Sequence, residues 1–343
     1  MSQARRGCEV GGEPTGRGQS GGREAILIAG FGGIGDHVRC FGLARHVAQQ
    51  FPGRPIDFLC RSPVDRLVPF VPDLRAAFVD DTPHGRLGLA DKIRLARRMR
   101  EQRYGRVYVV SRTVKAALIP FLAGIPERVG WLGEGRVLLI NRMRTGERDA
   151  PGETEKVCAL ARADGTEPFC CLPPRMAVDP QALAQWQHMA LGGAPSAPVF
   201  AIAPGAYNLV RQWPVERFGA VARDYAARGW QVWVLGGPKE REMARAMAAM
   251  APVRDFTDTP LEAAVHQLAS ANLFLGNDSG MLHMAGALGI RSVGLFGPTA
   301  LEVTGPRNPC VAGVRPPPGS IDLSEIPTAW VLDALGTVQA QAA

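Results

Sequence analysis

Residues 25–36 read AILIAGFGGIGD. Five consecutive apolar residues predict a buried strand, and the glycines after them predict a turn that opens a helix near Asp36. A strand that is apolar along its whole length is typical of a parallel sheet covered by helices on both faces. This stretch therefore predicts an α/β fold for the first half of the chain.

The same pattern recurs along the chain, with apolar strands separated by helical stretches. The first group of predicted strands comprises Ala25–Gly30, Ile56–Arg61, Ala76–Asp80, Arg106–Ser111 and Arg128–Trp131. The second group comprises Val199–Ala203, Gln231–Gly236, Val253–Phe256, Asn272–Gly276 and Ser292–Phe296. A less regular, proline-rich segment from about residue 142 to 198 separates the two groups and is interpreted as an interdomain connection.

Two strand groups in 343 residues predict two domains, since one hydrophobic core rarely serves a chain of this length. We predict two Rossmann-like domains with parallel sheets that face each other across a cleft, because ligands bind beyond the carboxyl ends of such strands. The predicted domains are 24–165 and 199–326, with the connection at 166–198 and a C-terminal helix at 327–343. Residues 1–23 are glycine-rich without an apolar run, so we expect a disordered tail.

Composition narrows the class of protein. Hydrophobic residues make up 46% and charged residues 21%, as in ordinary globular proteins, and no apolar run reaches the roughly 20 residues that span a bilayer. The seven cysteines have no metal-binding spacing and are odd in number, so we expect reduced thiols and a cytoplasmic location. A net charge of +7 indicates either an acidic partner or a solvated basic surface. No nucleic-acid motif is present, so we expect no nucleic-acid partner.

The glycine turn at residues 30–35 permits two interpretations. It matches G-x-G-x-x-G between a strand and a helix, as in dinucleotide-binding proteins, and Arg61 could meet a 2′-phosphate. However, Asp36 lies where the pyrophosphate would sit and would compete for the same amides, which argues against a dehydrogenase. Asp36 itself is either a helix cap or a general base, and a turn containing Gly33 leaves room for an acceptor hydroxyl.

Small polar residues follow two strands of the second group. Residues 277–280 read NDSG, with His283 in the helix behind them, and residues 297–299 read GPT after the next strand. Free backbone N–H groups at such a helix start can bind an anion. Two turns at one sheet edge favour a diphosphate site over simple capping by Asp278 or Ser279. His283 is either part of that site or a histidine buried in the core.

Two further loops carry charged candidates. Glu240 and Glu242 follow the turn Gly236–Pro238, where a carboxylate can accept from both hydroxyls of a ribose or merely complement the helix dipole. Arg211 lies on the loop after Gly205, where it can neutralise phosphate charge or be an ordinary surface cation.

The order and spacing of these motifs resemble glycosyltransferase family 9, the lipopolysaccharide heptosyltransferases. The stretches PGA at 204–206, RQWP at 211–214, NDSG at 277–280 with His283, and GPT at 297–299 carry the resemblance, together with the Gly35–Asp36 pair. Residues 109–118, 123–126 and 130–131 are similar to the heptosyltransferase II branch. The resemblance implies a GT-B fold, an ADP-heptose donor, an inverting transfer without metal or cofactor, and an inner-core acceptor of the lipid A–Kdo–heptose type.

The resemblance also implies roles for individual residues, with the first domain binding the acceptor and the second the donor. Asp36 would be the base and Arg211 would stabilise the leaving group. Residues 278–283 would hold the diphosphate, and Glu242 would meet the ribose. The donor-binding set is Gly205, Gly236, Gly237, Glu240, Glu242, Asn277, Asp278, Ser279, Gly280, His283, Pro298 and Thr299. The acceptor-binding set is Gly33, Arg61, Arg112 and Lys115.

The chain departs from the family at two places. Arg211 stands where the family usually has lysine, and the loop from Pro309 to Asp322 looks short. The partners implied are a nucleotide-sugar donor and an anionic glycolipid acceptor. We expect a monomer that contacts the cytoplasmic face of the membrane peripherally in order to reach the acceptor. The alternatives are a nucleotide-sugar epimerase of the same two-domain shape and a non-catalytic nucleotide-sugar-binding homologue.

Overall fold

The computed structural model describes residues 24–83, 88–162 and 171–340, so the expected tail at 1–23 lies outside the described residues. The chain divides into two compact units. The first contains Cys40–Val68 and Asp73–Leu172 together with the chain before Gly32. The second contains Gly32–Arg39, Pro69–Pro72 and the chain from Pro173 onward. Gly32–Arg39, which includes Asp36, is thus grouped with the second unit, although α1 continues beyond it.

The first unit contains a six-stranded parallel sheet. Its strands are β1 (Ala25–Ala29), β2 (Ile56–Cys60), β3 (Ala76–Val79), β4 (Tyr104–Val109), β5 (Glu127–Trp131) and β6 (Arg142–Arg144), in the order β3-β2-β1-β4-β5-β6. The helices of this part of the chain are α1 (Ile34–Gln50), α2 (Leu89–Arg100), α3 (Val114–Leu122) and α4 (Glu153–Cys158). Strand β1 is buried throughout, as its apolar run predicted.

The second unit repeats this topology. Its strands are β7 (Val199–Ala203), β8 (Gln231–Gly236), β9 (Val253–Thr257), β10 (Leu273–Asn277), β11 (Ser292–Leu295) and β12 (Val311–Val314), in the order β12-β11-β10-β7-β8-β9. The helices are α5 (Pro180–Leu191), α6 (Val215–Ala227), α7 (Arg241–Ala248), α8 (Leu261–Ala269), α9 (Gly280–Ala287), α10 (Leu301–Thr304) and α11 (Thr328–Ala340). Short 3-10 helices lie at Val64–Phe70, Glu147–Asp149, Ala159–Ala161, Leu209–Arg211, Pro238–Glu240 and Leu323–Glu325.

The strand order places a topological switch point in each sheet. In the second unit the chain runs from β7 outward to β9 and then returns to lay β10 against the other side of β7. Open parallel sheets bind ligands at the carboxyl ends of such a strand pair. The loops after Ala203 and Asn277 therefore occupy the expected place for a ligand.

The α/β prediction with two parallel sheets is confirmed, and every predicted strand is present to within two residues at either end. Two edge strands were missed. Strand β6 lies in the segment that was interpreted as a connection, and β12 lies in the loop after Pro309. Both are short and partly exposed, so neither has the apolar run by which the central strands were recognised.

The expectation of reduced thiols is wrong for one pair of cysteines. Cys158 and Cys171 form a disulfide with their Cα atoms 5.5 Å apart, and both sulfurs lie beside Gly42 of α1. Folding brings these residues together across a separation of 13 positions that no spacing rule identifies. Cys60 and Cys310 keep free thiols, as expected. No helix in the described part of the chain is long and apolar enough to cross a membrane.

Candidate active site

Asn277 ends β10 and joins two loops at the switch point of the second sheet. Its Nδ2 donates to the carbonyl oxygen of Pro204 at 2.7 Å, and its Oδ1 accepts from the backbone N–H of Trp213 at 3.1 Å. The side chain is fully buried, where an amide must find partners for both ends. Asn277 was predicted to bind the donor, and these contacts favour instead a role in shaping the loops around it.

Asp278 and Arg211 form an ion pair at the same edge. Arg211 Nη1 lies 3.4 Å from Asp278 Oδ2, and that oxygen also accepts from the hydroxyl of Thr304 at 3.0 Å. The Asp278 side chain is buried, whereas Arg211 is partly exposed. A carboxylate repels phosphate, so Asp278 can serve a diphosphate site only by holding the arginine in place.

The start of α9 matches the predicted anion site. Ser279 occupies the N-cap position, but its side chain makes no capping hydrogen bond, and Asp278 is directed to Arg211 instead. Simple capping is therefore not what these residues do. The hydroxyl oxygens of Ser279 and Thr299 are both buried without a hydrogen-bond partner among the described residues. The first turn, beginning at Gly280, also leaves backbone N–H groups unpaired within the helix.

His283 lies beneath this turn and is 3% exposed. Burial, and next the positive charge of Arg39, hold its pKa well below the usual value, against a backbone hydrogen bond to Thr304. Its Nε2 lies 3.3 Å from Arg39 Nη2 and 4.0 Å from Asp278 Oδ1. A neutral imidazole brings no charge to a diphosphate, so His283 is better described as a buried contact of Arg39.

Asp36 is the third residue of α1 and not its N-cap, although its side chain satisfies one amide at the helix start. Its Oδ2 accepts from the N–H of Gly33 at 3.0 Å, which leaves that amide unavailable to a pyrophosphate. Gly32 has φ +82°, and a Cβ there would lie 2.2 Å from Asp36 Oδ2. A Cβ at Gly33 would meet nothing within 4 Å, so the space on the Cβ side of this glycine is open.

Arg39 contacts Asp36 and was not singled out from the sequence. Its Nη1 lies 2.5 Å from Asp36 Oδ1, and its Nη2 lies 2.5 Å from the carbonyl oxygen of Thr304. The spacing of three residues between Asp36 and Arg39 on one helix was the available signal, since such positions are neighbours on a helix surface.

Glu240 lies against the turns that end β7 and β8. Its Oε2 accepts from the N–H of Gly237 at 2.7 Å, and a Cβ at Gly205 would lie 2.5 Å from its Oε1. A Cβ at Gly236 would likewise crowd the Glu240 side chain. Glu242 is exposed in the first turn of α7. The resemblance assigns the ribose to Glu242, whereas the carboxylate that lies against the turns after β7 and β8 is that of Glu240.

The remaining predicted residues lie at loop and helix starts. Pro298 is exposed after β11. In the first unit, Arg61 follows β2, while Arg112 follows β4 and places its Nε 3.4 Å from Glu147 Oε2. Lys115 lies in the first turn of α3 and its Nζ donates to the carbonyl oxygen of Pro83 at 3.4 Å. The carboxyl ends of parallel strands share one edge, so Arg61 and Arg112 belong to the same edge of the first sheet.

Comparison with known proteins decides the family. The profile of glycosyltransferase family 9 (heptosyltransferase) matches residues 92–319. The chain belongs to this family. It is 31% identical to the lipopolysaccharide heptosyltransferase 2 of Escherichia coli over 302 residues, which cover 82% of this chain and 85% of that protein. The corresponding protein of Salmonella typhimurium is 30% identical over 295 residues, with the same coverage.

The solved structures agree with this assignment. The E. coli ADP-heptose lipopolysaccharide heptosyltransferase II superposes with a TM-score of 0.83 at 27% identity, covering 93% of this chain and 99% of that one. A family 9 glycosyltransferase from Veillonella parvula has a TM-score of 0.82 at 17% identity, covering 93% and 97%, and shows the fold alone. The chain is therefore a glycosyltransferase with the fold of the GT-B heptosyltransferases, as the resemblance implied, and the dehydrogenase interpretation is wrong.

Proposed function

We propose that this protein transfers heptose from ADP-heptose to the inner core of lipopolysaccharide, inverting the anomeric carbon and using no metal ion. The observation that carries the proposal is the ion pair of Arg211 with Asp278 beside the unpaired start of α9. The names of the relatives support the choice of substrates, since they include lipopolysaccharide heptosyltransferase 2 and an ADP-heptose heptosyltransferase II.

The donor diphosphate would bind where anion-binding groups converge. The N–H groups of the first turn of α9 and the unpaired hydroxyls of Ser279 and Thr299 can donate to its oxygens. Arg211 adds a positive charge close to the oxygens on which negative charge develops as the sugar leaves. Glu240 would accept from the ribose hydroxyls. These groups can balance the leaving-group charge without a divalent ion.

The acceptor would be activated by Asp36. The acceptor hydroxyl loses its proton to the carboxylate, its oxygen bonds to the anomeric carbon, and the bond from that carbon to the diphosphate breaks to release ADP. A single displacement of this kind inverts the anomeric centre. Gly33 leaves the approach open. Arg61, Arg112 and Lys115 would bind the phosphorylated parts of the glycolipid.

A peripheral contact with the cytoplasmic face of the membrane would deliver such an acceptor. The loop Leu132–Leu138 exposes three apolar side chains, with Leu138 exposed by 82%. The buried Arg136 within it donates to two backbone carbonyls, which holds the loop in place. Arg142 is close in sequence and 64% exposed. Apolar residues next to exposed cations suit anionic lipid surfaces, and Leu138→Asp should reduce co-sedimentation with phosphatidylglycerol vesicles.

One experiment tests the reaction. The purified protein is incubated with ADP-heptose and a core glycolipid of the lipid A–Kdo–heptose type in the presence of EDTA, and products are identified by mass spectrometry. We expect ADP and an acceptor heavier by one heptose. Epimerised donor in the absence of acceptor would support an epimerase instead, and donor binding without turnover would support a non-catalytic protein. A strict requirement for a divalent metal would contradict the metal-free part of the proposal.

A further inference from the structure

Arg39 is a largely buried cation whose terminal nitrogens both donate hydrogen bonds, and the mechanism above assigns it no role. Its side chain is 11% exposed. Burying a guanidinium is costly unless its donors find partners, and here both terminal nitrogens have them, in Asp36 and in Thr304. The two partners lie three and 265 positions away in the chain. This pattern calls for an explanation beyond local helix stability.

We infer that Arg39 is a positioning residue that orients the Asp36 carboxylate and ties it to the donor-binding segment through Thr304. The inference rests on the proposed function, in which Asp36 is the base. Arg39 would touch neither the sugar nor the acceptor. It would act through the residues that do.

The first part of the argument concerns the orientation of Asp36. The N–H of Gly33 holds Oδ2 at 3.0 Å, and Arg39 Nη1 holds Oδ1 at 2.5 Å. A carboxylate with a donor on each oxygen has lost its freedom to rotate. The side chain remains 36% exposed, so an acceptor hydroxyl can reach it. The base is thus fixed in direction and still accessible in part.

The second part concerns Thr304, which ends α10 and bonds in two directions. Its carbonyl oxygen accepts from Arg39 Nη2 at 2.5 Å, and its hydroxyl donates to Asp278 Oδ2 at 3.0 Å. The same carboxylate oxygen pairs with Arg211. A continuous chain of hydrogen bonds therefore joins the group that takes the proton to the group that balances the leaving charge. Small errors in such a distance cost much of the rate.

The test replaces Arg39 by methionine, which removes the guanidinium and keeps a side chain of comparable length. We expect kcat for heptose transfer to fall by about 10- to 100-fold while the KM for ADP-heptose changes by less than about twofold, because the donor groups remain in place.

The conservative variant Arg39→Lys keeps the charge but lacks the two-pronged donor geometry. Its kcat should lie between those of the wild type and Arg39→Met. The chain also offers a matched control, because Asp91 is likewise the third residue of its helix and pairs with Arg94 three positions later at 3.2 Å. Arg94 is 75% exposed, and Arg94→Met should have wild-type kinetics.

Each outcome of these measurements either supports or overturns the inference. An unchanged kcat in Arg39→Met overturns the inference, and so does a lower kcat accompanied by an equally altered KM for ADP-heptose and a lower Tm, which indicates a merely structural residue. If Arg39→Met does not fold, wild-type kcat in Arg39→Lys overturns it. A wild-type protein that forms no heptosylated product refutes the proposed function, and the inference falls with it, whereas an active wild type with an equally active Arg39→Met refutes the inference alone.

Discussion

Arg211 and Asp278 form an ion pair between an accessible and a buried side chain. Arg211 Nη1 lies 3.4 Å from Asp278 Oδ2, and the two side chains are 39% and 3% exposed. Arginine carries five donors, so this contact leaves others for a ligand. The buried carboxylate is also held by the hydroxyl of Thr304. Asp278 thus places a positive charge at the start of α9 that keeps donors available.

Replacing Arg211 tests the charge at this position. Arg211→Lys should remain active with an altered KM for ADP-heptose, because a compact ammonium cannot reproduce the contacts of a planar guanidinium. Arg211→Ala should lose about 10²-fold or more in kcat, because a group that balances transition-state charge is missing. Steady-state kinetics with both substrates separate these cases. Equal turnover for the wild type and the alanine variant would remove Arg211 from the site.

Asp36→Asn tests the general base. Asparagine keeps one oxygen, which can accept from the N–H of Gly33, but the largely buried Arg39 loses its anionic partner, so we expect a lower Tm in a protein that still folds. The kcat should nevertheless fall by about 10²-fold or more, because an amide cannot take a proton. Near-normal turnover in this variant would leave Asp36 with a structural role only.

The glycine at position 205 tests the contact with Glu240. A Cβ in Gly205→Ala would lie 2.5 Å from Glu240 Oε1, which must then move away. Because that atom is the end of a flexible side chain, we expect little loss of stability and a raised KM for ADP-heptose. Gly336→Ala is the control, since a Cβ there meets nothing within 4 Å and lies in a helix. It should leave KM unchanged and raise stability by about 0.5–1 kcal/mol. An unchanged KM in Gly205→Ala would argue against Glu240 as a donor contact.

Binding of the donor nucleotide can be measured without turnover. A ligand that binds only the folded state stabilises it, and at high concentration the stabilisation grows with the logarithm of the ligand concentration divided by its Kd. ADP should therefore raise Tm in the presence of EDTA, and NAD or NADP should have less effect at equal concentration. A clear preference for NAD or NADP would contradict the assignment of the α9 start to a nucleoside diphosphate sugar.

The buried histidine predicts a dependence of stability on pH. Burial, followed by the charge of Arg39, lowers the pKa of His283 well below its usual value near 6.5. The unfolded chain then binds more protons than the folded protein below that pH, so the free energy of unfolding falls as the pH decreases from about 6.5. His37 has a pKa lowered chiefly by burial and acts in the same direction.

His283→Gln separates this contribution, because glutamine does not titrate and its oxygen can still accept from Arg39. We expect the decrease in the free energy of unfolding between about pH 7.5 and pH 5.5 to be smaller in the variant than in the wild type. Chemical denaturation at the two pH values measures it. An identical decrease in both proteins would show that His283 does not titrate differently on unfolding.

Local pattern was enough to predict the central strands and the turns. Val199–Ala203 and Gln231–Gly236 were predicted with the bounds that the structure has. Their apolar runs mark them because both faces of a central parallel strand are buried, and the following glycines mark the turns. The family resemblance likewise depends on short motifs in a fixed order. The sequence by itself therefore determined the fold class, the family and the loops in which the site residues lie.

Which of those residues touch was decided only by the tertiary structure. Arg39 contacts His283 and the carbonyl oxygen of Thr304, which lie 244 and 265 positions away in the sequence. The ion pair of Arg211 with Asp278 joins residues 67 positions apart. The disulfide of Cys158 with Cys171 was missed for the same reason. Periodicity records which side chains are buried, because burial of a helix or strand face repeats locally. It does not record which buried polar group meets which, because that depends on how distant segments pack.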